Sequence, residues 1–180
     1  MAARLVNIRE VPALDYWFGP LQGGRMQDIG RNVGSDKIGL VVQTIAAGKR
    51  SSRRHRHLFQ EELLIVMAGE GVLLHGDERL PVTAGSCVCY RAGDPEAHTF
   101  ENSGTADLVI WAFGNRFSHE VALYPDEGVA FVEGLGAEVP LASVTPSAWT
   151  EDERRNKIAT AAALTDARPG AARGFPPAGC

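Results

Sequence analysis

His55 and His57 stand two residues apart, Glu62 follows after four more, and His98 comes much later in the chain. Three imidazoles and one carboxylate can hold a divalent transition metal and still leave coordination positions for water or a substrate. Such a centre can polarise a carbonyl or enolate, or activate water or dioxygen. In an extended segment His55 and His57 share a face, because side chains two apart on a strand point the same way. Glu62 lies just past a turn, where the next strand would return its carboxylate to the pair. His98 follows the turn-rich Gly93-Asp94-Pro95, which suits a ligand delivered from a distant strand. Taken alone, a His-x-His pair among Lys49, Arg50, Arg53, Arg54 and Arg56 reads more readily as a solvated basic loop. Glu61 also competes with Glu62, but alternation groups Glu62, Leu64 and Val66 on one face and favours Glu62.

Ligands so spaced need short strands to bring them together. From residue 37 to residue 117 the chain alternates short apolar runs with Gly, Asp, Asn and Pro clusters, which predicts an all-β sandwich or barrel. The expected strands are 38–46, 54–58, 62–68, 71–75, 78–82, 86–91, 98–102 and 107–113. Gly76-Asp77 reads as a tight hairpin turn, because Gly accepts the positive φ such turns demand. Residues 1–36 are expected to lay one or two strands and an aromatic plug, Tyr16-Trp17-Phe18, on the barrel. Residues 118–146 could add an edge strand near Val129 to Val132. Residues 147–180 are expected to form a short helix, from about Thr150 to Leu164, and a Pro/Gly/Ala-rich tail.

At 180 residues the chain suits one domain with its own core. A net charge of -4 does not point to nucleic acid or an acidic membrane. The N-terminus lacks the apolar region of a secretory signal, and the longest apolar run is too short to span a bilayer, so a cytoplasmic address is the expectation. Three cysteines make no disulfide framework. Cys87 and Cys89 should share a strand face and behave as small buried hydrophobes, and Cys180 has no partner visible in the sequence.

The wider spacing resembles the cupin superfamily. Its first motif is matched by Gly48, His55-x-His57, Glu62 and then Gly69, six residues further on. Its second is matched by residues 85–102, including Gly85, Gly93, His98 and Asn102. Six residues rather than five separate Gly48 from His55, Arg91 stands where a proline is usual, and four residues rather than two separate Gly93 from His98. More narrowly, Arg54-His55-Arg56-His57, Ala92-Gly93-Asp94-Pro95 and Tyr124-Pro125-Asp126 look like segments of largely uncharacterised bacterial single-domain cupins. The resemblance implies a double-stranded β-helix, or jelly-roll barrel, with a metal held by His55, His57, Glu62 and His98. Iron, manganese, nickel, cobalt and zinc all suit this ligand set.

Other residues could carry chemistry. Arg53 shares parity with His55 and could bind a carboxylate or phosphate, while Arg54 and Arg56 should point away. His119 is a general-base candidate only if folding brings it to the metal, and His75 should lie exposed at its hairpin tip. Tyr90, Phe100 and Trp111 read as core, although an inward Tyr90 would shape the pocket. The expected function is metal-dependent turnover of a small polar or anionic molecule, as an isomerase, lyase, cyclase or dioxygenase. The alternative is a non-catalytic cupin that binds or senses a small molecule. Strand edges at the barrel rim make a homodimer the expected assembly.

Overall fold

The computed structural model describes residues 4–144. The expected C-terminal helix and tail, with Cys180, lie outside the described residues.

The hairpin β1 (Leu14–Phe18) and β2 (Gln22–Asp28) leads into one helical turn, α1 (Ile29–Asn32), and then β3 (Ile38–Ile45). Next come β4 (Arg56–His57), β5 (Glu62–Ala68), β6 (Glu70–His75), β7 (Glu78–Thr83), β8 (Cys87–Tyr90) and β9 (His98–Glu101). The long β10 (Leu108–Asn115) is followed by a meander of β11 (Val121–Tyr124), β12 (Val129–Val132) and β13 (Ala137–Pro140). They form three antiparallel sheets in the orders β1-β2-β3-β10-β5-β8, β13-β12-β11-β4 and β7-β6-β9. The jelly-roll expectation holds, but as a sandwich: hydrogen bonding does not close these sheets into a ring. Among the described residues no helix is long and apolar enough to cross a membrane.

Alternation decides what each strand buries. On β5, Leu64 and Val66 are 6% and 1% exposed, whereas Leu63 and Met67 are 40% and 45% exposed. The inner row joins Ile45, Leu73, Tyr90, Phe100, Leu108 and Ile110 in the main core. Each such side chain contributes about 1.5–3 kcal/mol by leaving water. Glu62 continues that inner row, so the strand that builds the core also aims a carboxylate inward. Trp111 instead packs in a second cluster with Val11, Ile29 and Val42 on the outer face of the large sheet.

Two turns depend on glycine. Gly76 closes the β6–β7 hairpin at φ 53°, as expected, and Gly69 turns β5 into β6 at φ 82°. A Cβ at Gly69 would also lie 2.5 Å from the Asp107 carbonyl oxygen, so the approach of β10 excludes any side chain there.

Three local expectations need correction. The aromatic trio is not a plug, since Tyr16 is buried while Trp17 and Phe18 are each 60% exposed; neighbours on a strand cannot all face one way. Cys87 and Cys89 are exposed rather than buried, because they alternate on β8 with Val88 and the buried Tyr90 and so face outward. The segment expected to supply one edge strand after the barrel supplies three, a meander whose first strand, β11, pairs with β4.

Candidate metal centre

His55 lies just before β4 and faces His98 across an antiparallel bridge. Its N–H donates to the His98 carbonyl at 3.0 Å, and the His98 N–H donates back at 2.8 Å. The two rings therefore emerge side by side, with centroids 4.9 Å apart. His57 falls two residues on, in register with Ala122 of β11, and its ring lies edge-on to His55, also at 4.9 Å. Glu62 opens β5 between Gly114 of β10 and Tyr90 of β8. The loop before His98 docks on this strand pair, with the Gly93 N–H donating to the His57 carbonyl at 3.0 Å.

Folding brings all four sequence-selected ligands together. Ligand atoms of His55, Glu62 and His98 lie within 4.8 Å of one another. Oε2 of Glu62 is 3.2 Å from His98 Nε2 and 3.5 Å from His57 Nε2, which places His57 at the margin of that group. Donors at about 2.0–2.2 Å from a transition metal stand about 3.0–3.5 Å from one another, so these edges match a coordination shell. His55 Nδ1 lies 2.9 Å from the Arg53 carbonyl; donation there leaves Nε2 free as the ligand atom. Neither nitrogen of buried His57 completes a hydrogen bond, although Glu62 and Glu120 flank the ring at 3.5 and 3.4 Å. Buried imidazole nitrogens without partners fit the role of metal ligands better than that of a self-sufficient polar network.

Charge states also suit a metal. Burial, helped by the neighbouring imidazoles, pushes His55 down to about 4, so it is neutral near pH 7. Burial opposes the charge on Glu62, but the His57 and His98 imidazoles beside it outweigh that cost and hold the carboxyl well below the usual range. For His57, burial is outweighed by the carboxylates of Glu62 and Glu120, and its pKa rises. A proton on His57 would compete with a cation held there, so metal binding would release it.

A second layer steadies the ligands. Tyr90 lies parallel to His98, centroids 3.7 Å apart, and Tyr124 stacks on His55 at 5.8 Å. Buried Glu120 faces His57 Nδ1 and accepts from the Leu58 N–H at 3.0 Å. We expect Glu120→Gln to weaken metal affinity by about tenfold, measured by chelator competition. In metal-free protein the raised His57 titration should fall back toward its ordinary value, followed by NMR. Unchanged affinity and titration would remove Glu120 from the centre.

The other candidates end elsewhere. Tyr90 is buried packing against His98. Arg53 does not reach the ligands: its guanidinium lies 3.8 Å over the Tyr124 ring and pairs with Glu138. Arg54 and Arg56 point away, to Asp126 and to the Asp94 carbonyl. His119 is exposed between Phe59 and Phe117, outside the cluster. His75 is half-buried beside Tyr90, because its partner across the β6–β9 ladder is His98. Glu120 and Tyr124 were the residues missed; Tyr124 was visible only as part of Tyr-Pro-Asp, and nothing local marked Glu120.

A cleft of about 760 Å³ reaches His57, with Arg31, Lys37, Arg116, Glu120 and Tyr124 in its wall. Arg31 and Arg116 both pair with Asp28, whereas exposed Lys37 makes no ion pair among the described residues.

Residues 41–113 match the family described as the cupin domain. The chain contains a cupin domain. No curated protein matches its sequence. Among solved structures, a protein from Acidithiobacillus ferrooxidans, provisionally named a sugar phosphate isomerase, matches with a TM-score of 0.72 and 24% identity. The match covers 81% of this chain and 97% of that one. A Silicibacter pomeroyi protein, named a sugar phosphate isomerase from a cupin superfamily, matches at 0.71 and 24%, covering 81% and 98%. A predicted oxalate decarboxylase from Thermotoga maritima matches at 0.53 and 21%, covering 65% and 100%. At these identities the likeness concerns the cupin fold.

Proposed function

We propose that this cupin is a metal-dependent enzyme acting on a small, oxygen-rich anion. The observation that carries the reading is the convergence of Glu62, His98, His55 and His57 beside a cleft that reaches His57. A divalent metal held by these four residues would supply Lewis acidity toward a substrate carbonyl or hydroxyl. The chain's own residues do the rest. Glu120 fixes the His57 ring, the parallel Tyr90 fixes His98, and the stack of Tyr124 on His55 restricts that ring in turn. Lys37, which makes no ion pair among the described residues, offers the cleft a cation that suits a phosphate or carboxylate. Isomerisation of a hydroxy-carbonyl anion fits this combination best, and two structural neighbours carry the name sugar phosphate isomerase.

The test is elemental analysis of anaerobically purified protein beside His57→Ala, followed by isomerisation assays on aldose and ketose phosphates and oxygen uptake with small acids. The expected result is near-stoichiometric metal in the parent, loss in the variant, and turnover without oxygen uptake. Full metal occupancy with saturable binding but no turnover would instead favour a binding or sensing cupin. A metal-free parent that cannot be reloaded overturns both.

A further inference from the structure

The sandwich is open along one side, where β8 ends one sheet and β7 ends another. Leu80 of β7 shares a face with its partner Leu73, which is 4% exposed, yet Leu80 itself is 41% exposed. Val88 of β8 is likewise only half-buried, although its partner Leu64 belongs to the main core. An apolar cleft of about 330 Å³ runs down this seam to Val66, Val82 and Phe100. Inward-facing side chains left wet in this way mark a surface that fits a partner. The strand edge beside them is unprotected. The Val66 N–H donates to the Ser86 carbonyl at 2.9 Å, and such bonds recur at every second residue of an antiparallel pair, so Val88 and Tyr90 turn theirs toward β5. The N–H and C=O groups of Cys87 and Cys89 therefore face outward, and among the described residues no strand pairs with them. Charge or proline usually blunts such an edge. Among the described strands that end a sheet, Asp15 in β1, Arg56 in β4, Pro81 in β7, Glu101 in β9 and Glu138 in β13 do so, whereas Cys87-Val88-Cys89-Tyr90 has neither.

We propose that this edge is a homodimer interface, in which β8 pairs antiparallel with β8 of a second copy about a two-fold axis at Val88. A second copy suits the edge because the unmet groups are backbone donors and acceptors, which a strand satisfies and a small apolar ligand does not. An antiparallel strand is also its own complement under a two-fold axis. The axis at Val88 sets Cys87 against the partner's Cys89, so the outward-facing residues of each strand meet and exchange both of their bonds. On the outer face, the cross-strand pairs of Leu63 with Cys89 and Ile65 with Cys87 then join into one uncharged strip across the axis. On the inner face, the extended sheet carries the partner's Val88 over Leu80 and closes the seam. None of these residues ligates the metal, so the interface does not depend on the reaction proposed above.

The test is sedimentation equilibrium of the full chain with reductant present, so that no disulfide contributes. The parent is expected to dimerise with a Kd at or below about 10 μM. Combining Cys87→Lys with Cys89→Lys sets like charges across the axis and should weaken the dimer at least about 100-fold. Combining Cys87→Ser with Cys89→Ser keeps the backbone pairing and should stay within about fivefold of the parent. Far-ultraviolet circular dichroism and metal content should match the parent in both. Amide hydrogen exchange of the parent gives a second reading that needs no variant: β8 amides should exchange at least about tenfold more slowly in the dimer than after dilution to the monomer. A parent that stays monomeric overturns the proposal, and slow exchange of its β8 amides would then assign the edge to residues 145–180. It is equally overturned if the folded lysine variant dimerises like the parent, or if dilution leaves β8 exchange unchanged.

Discussion

His98→Ala should leave the folded protein without its metal, lowering content from near one equivalent to below about a tenth and affinity by at least about 100-fold. The reason is geometric. His98 is 3% exposed, and its Nε2 is the nearest nitrogen to the Glu62 carboxylate, at 3.2 Å. Truncation takes away a ligand and also leaves Glu62 with His57 alone among its close partners, at 3.5 Å. Elemental analysis after passage over a chelator reads the content, and far-ultraviolet circular dichroism reads the fold. His119→Ala is the matched control: that exposed ring touches Phe59 and Phe117, so metal content should match the parent. Parental metal in a folded His98→Ala variant would show that the cation sits elsewhere.

The candidate ligands His55, His57 and Glu62 were legible in the sequence because each obeys a local rule. Period two placed His55 with His57 and Glu62 with Leu64 and Val66, and the burial of β5 follows that alternation. The turn at Gly76 was equally local. What could not be read depends on pairings between distant strands. Glu120 and Tyr124 reach the centre only because β11 pairs with β4, a register set by Leu123 opposite Arg56 and Ala122 opposite His57. No periodicity near residue 120 announces that partnership. His75 was misplaced for the same reason, since its half-buried state comes from facing His98 across the ladder. Arg53 shows the limit of parity: it leaves the chain on the side of His55, but the Tyr124 ring and Glu138 intercept it. Cys87 and Cys89 share a strand face as expected, but it is the outer one, opposite Val88 and the buried Tyr90.

The same distinction between local and distant pairing makes Asn102 the residue on which the loop before the histidines depends. It is 0% exposed, and its Nδ2 donates to the carbonyls of Ile45 and Ala106, both at 2.8 Å. Oδ1 accepts from the Gly104 N–H at 3.0 Å, while its backbone accepts from Gly48 at 2.9 Å and donates to Lys49 at 2.8 Å. One side chain thus joins the end of β3 to the turn before β10, and its backbone anchors the start of the segment that carries His55. Asn102→Ala would leave two carbonyls and one N–H unpaired, at about 1–3 kcal/mol each if none is rescued. Water entering the vacated volume offsets part of that, so the expected loss is about 3–5 kcal/mol, a large share of an ordinary domain's stability. Urea denaturation of metal-free protein should show a lower midpoint at constant slope. Asn102→Asp should fare no better, because it keeps the acceptor for Gly104 but turns a negative charge toward two carbonyl oxygens. A loss below about 1 kcal/mol in Asn102→Ala would mean that the 48–50 segment holds without this anchor. The backbone bonds to Gly48 and Lys49 survive truncation, so metal affinity should fall far less than in His98→Ala. That ordering separates what holds the loop from what holds the metal.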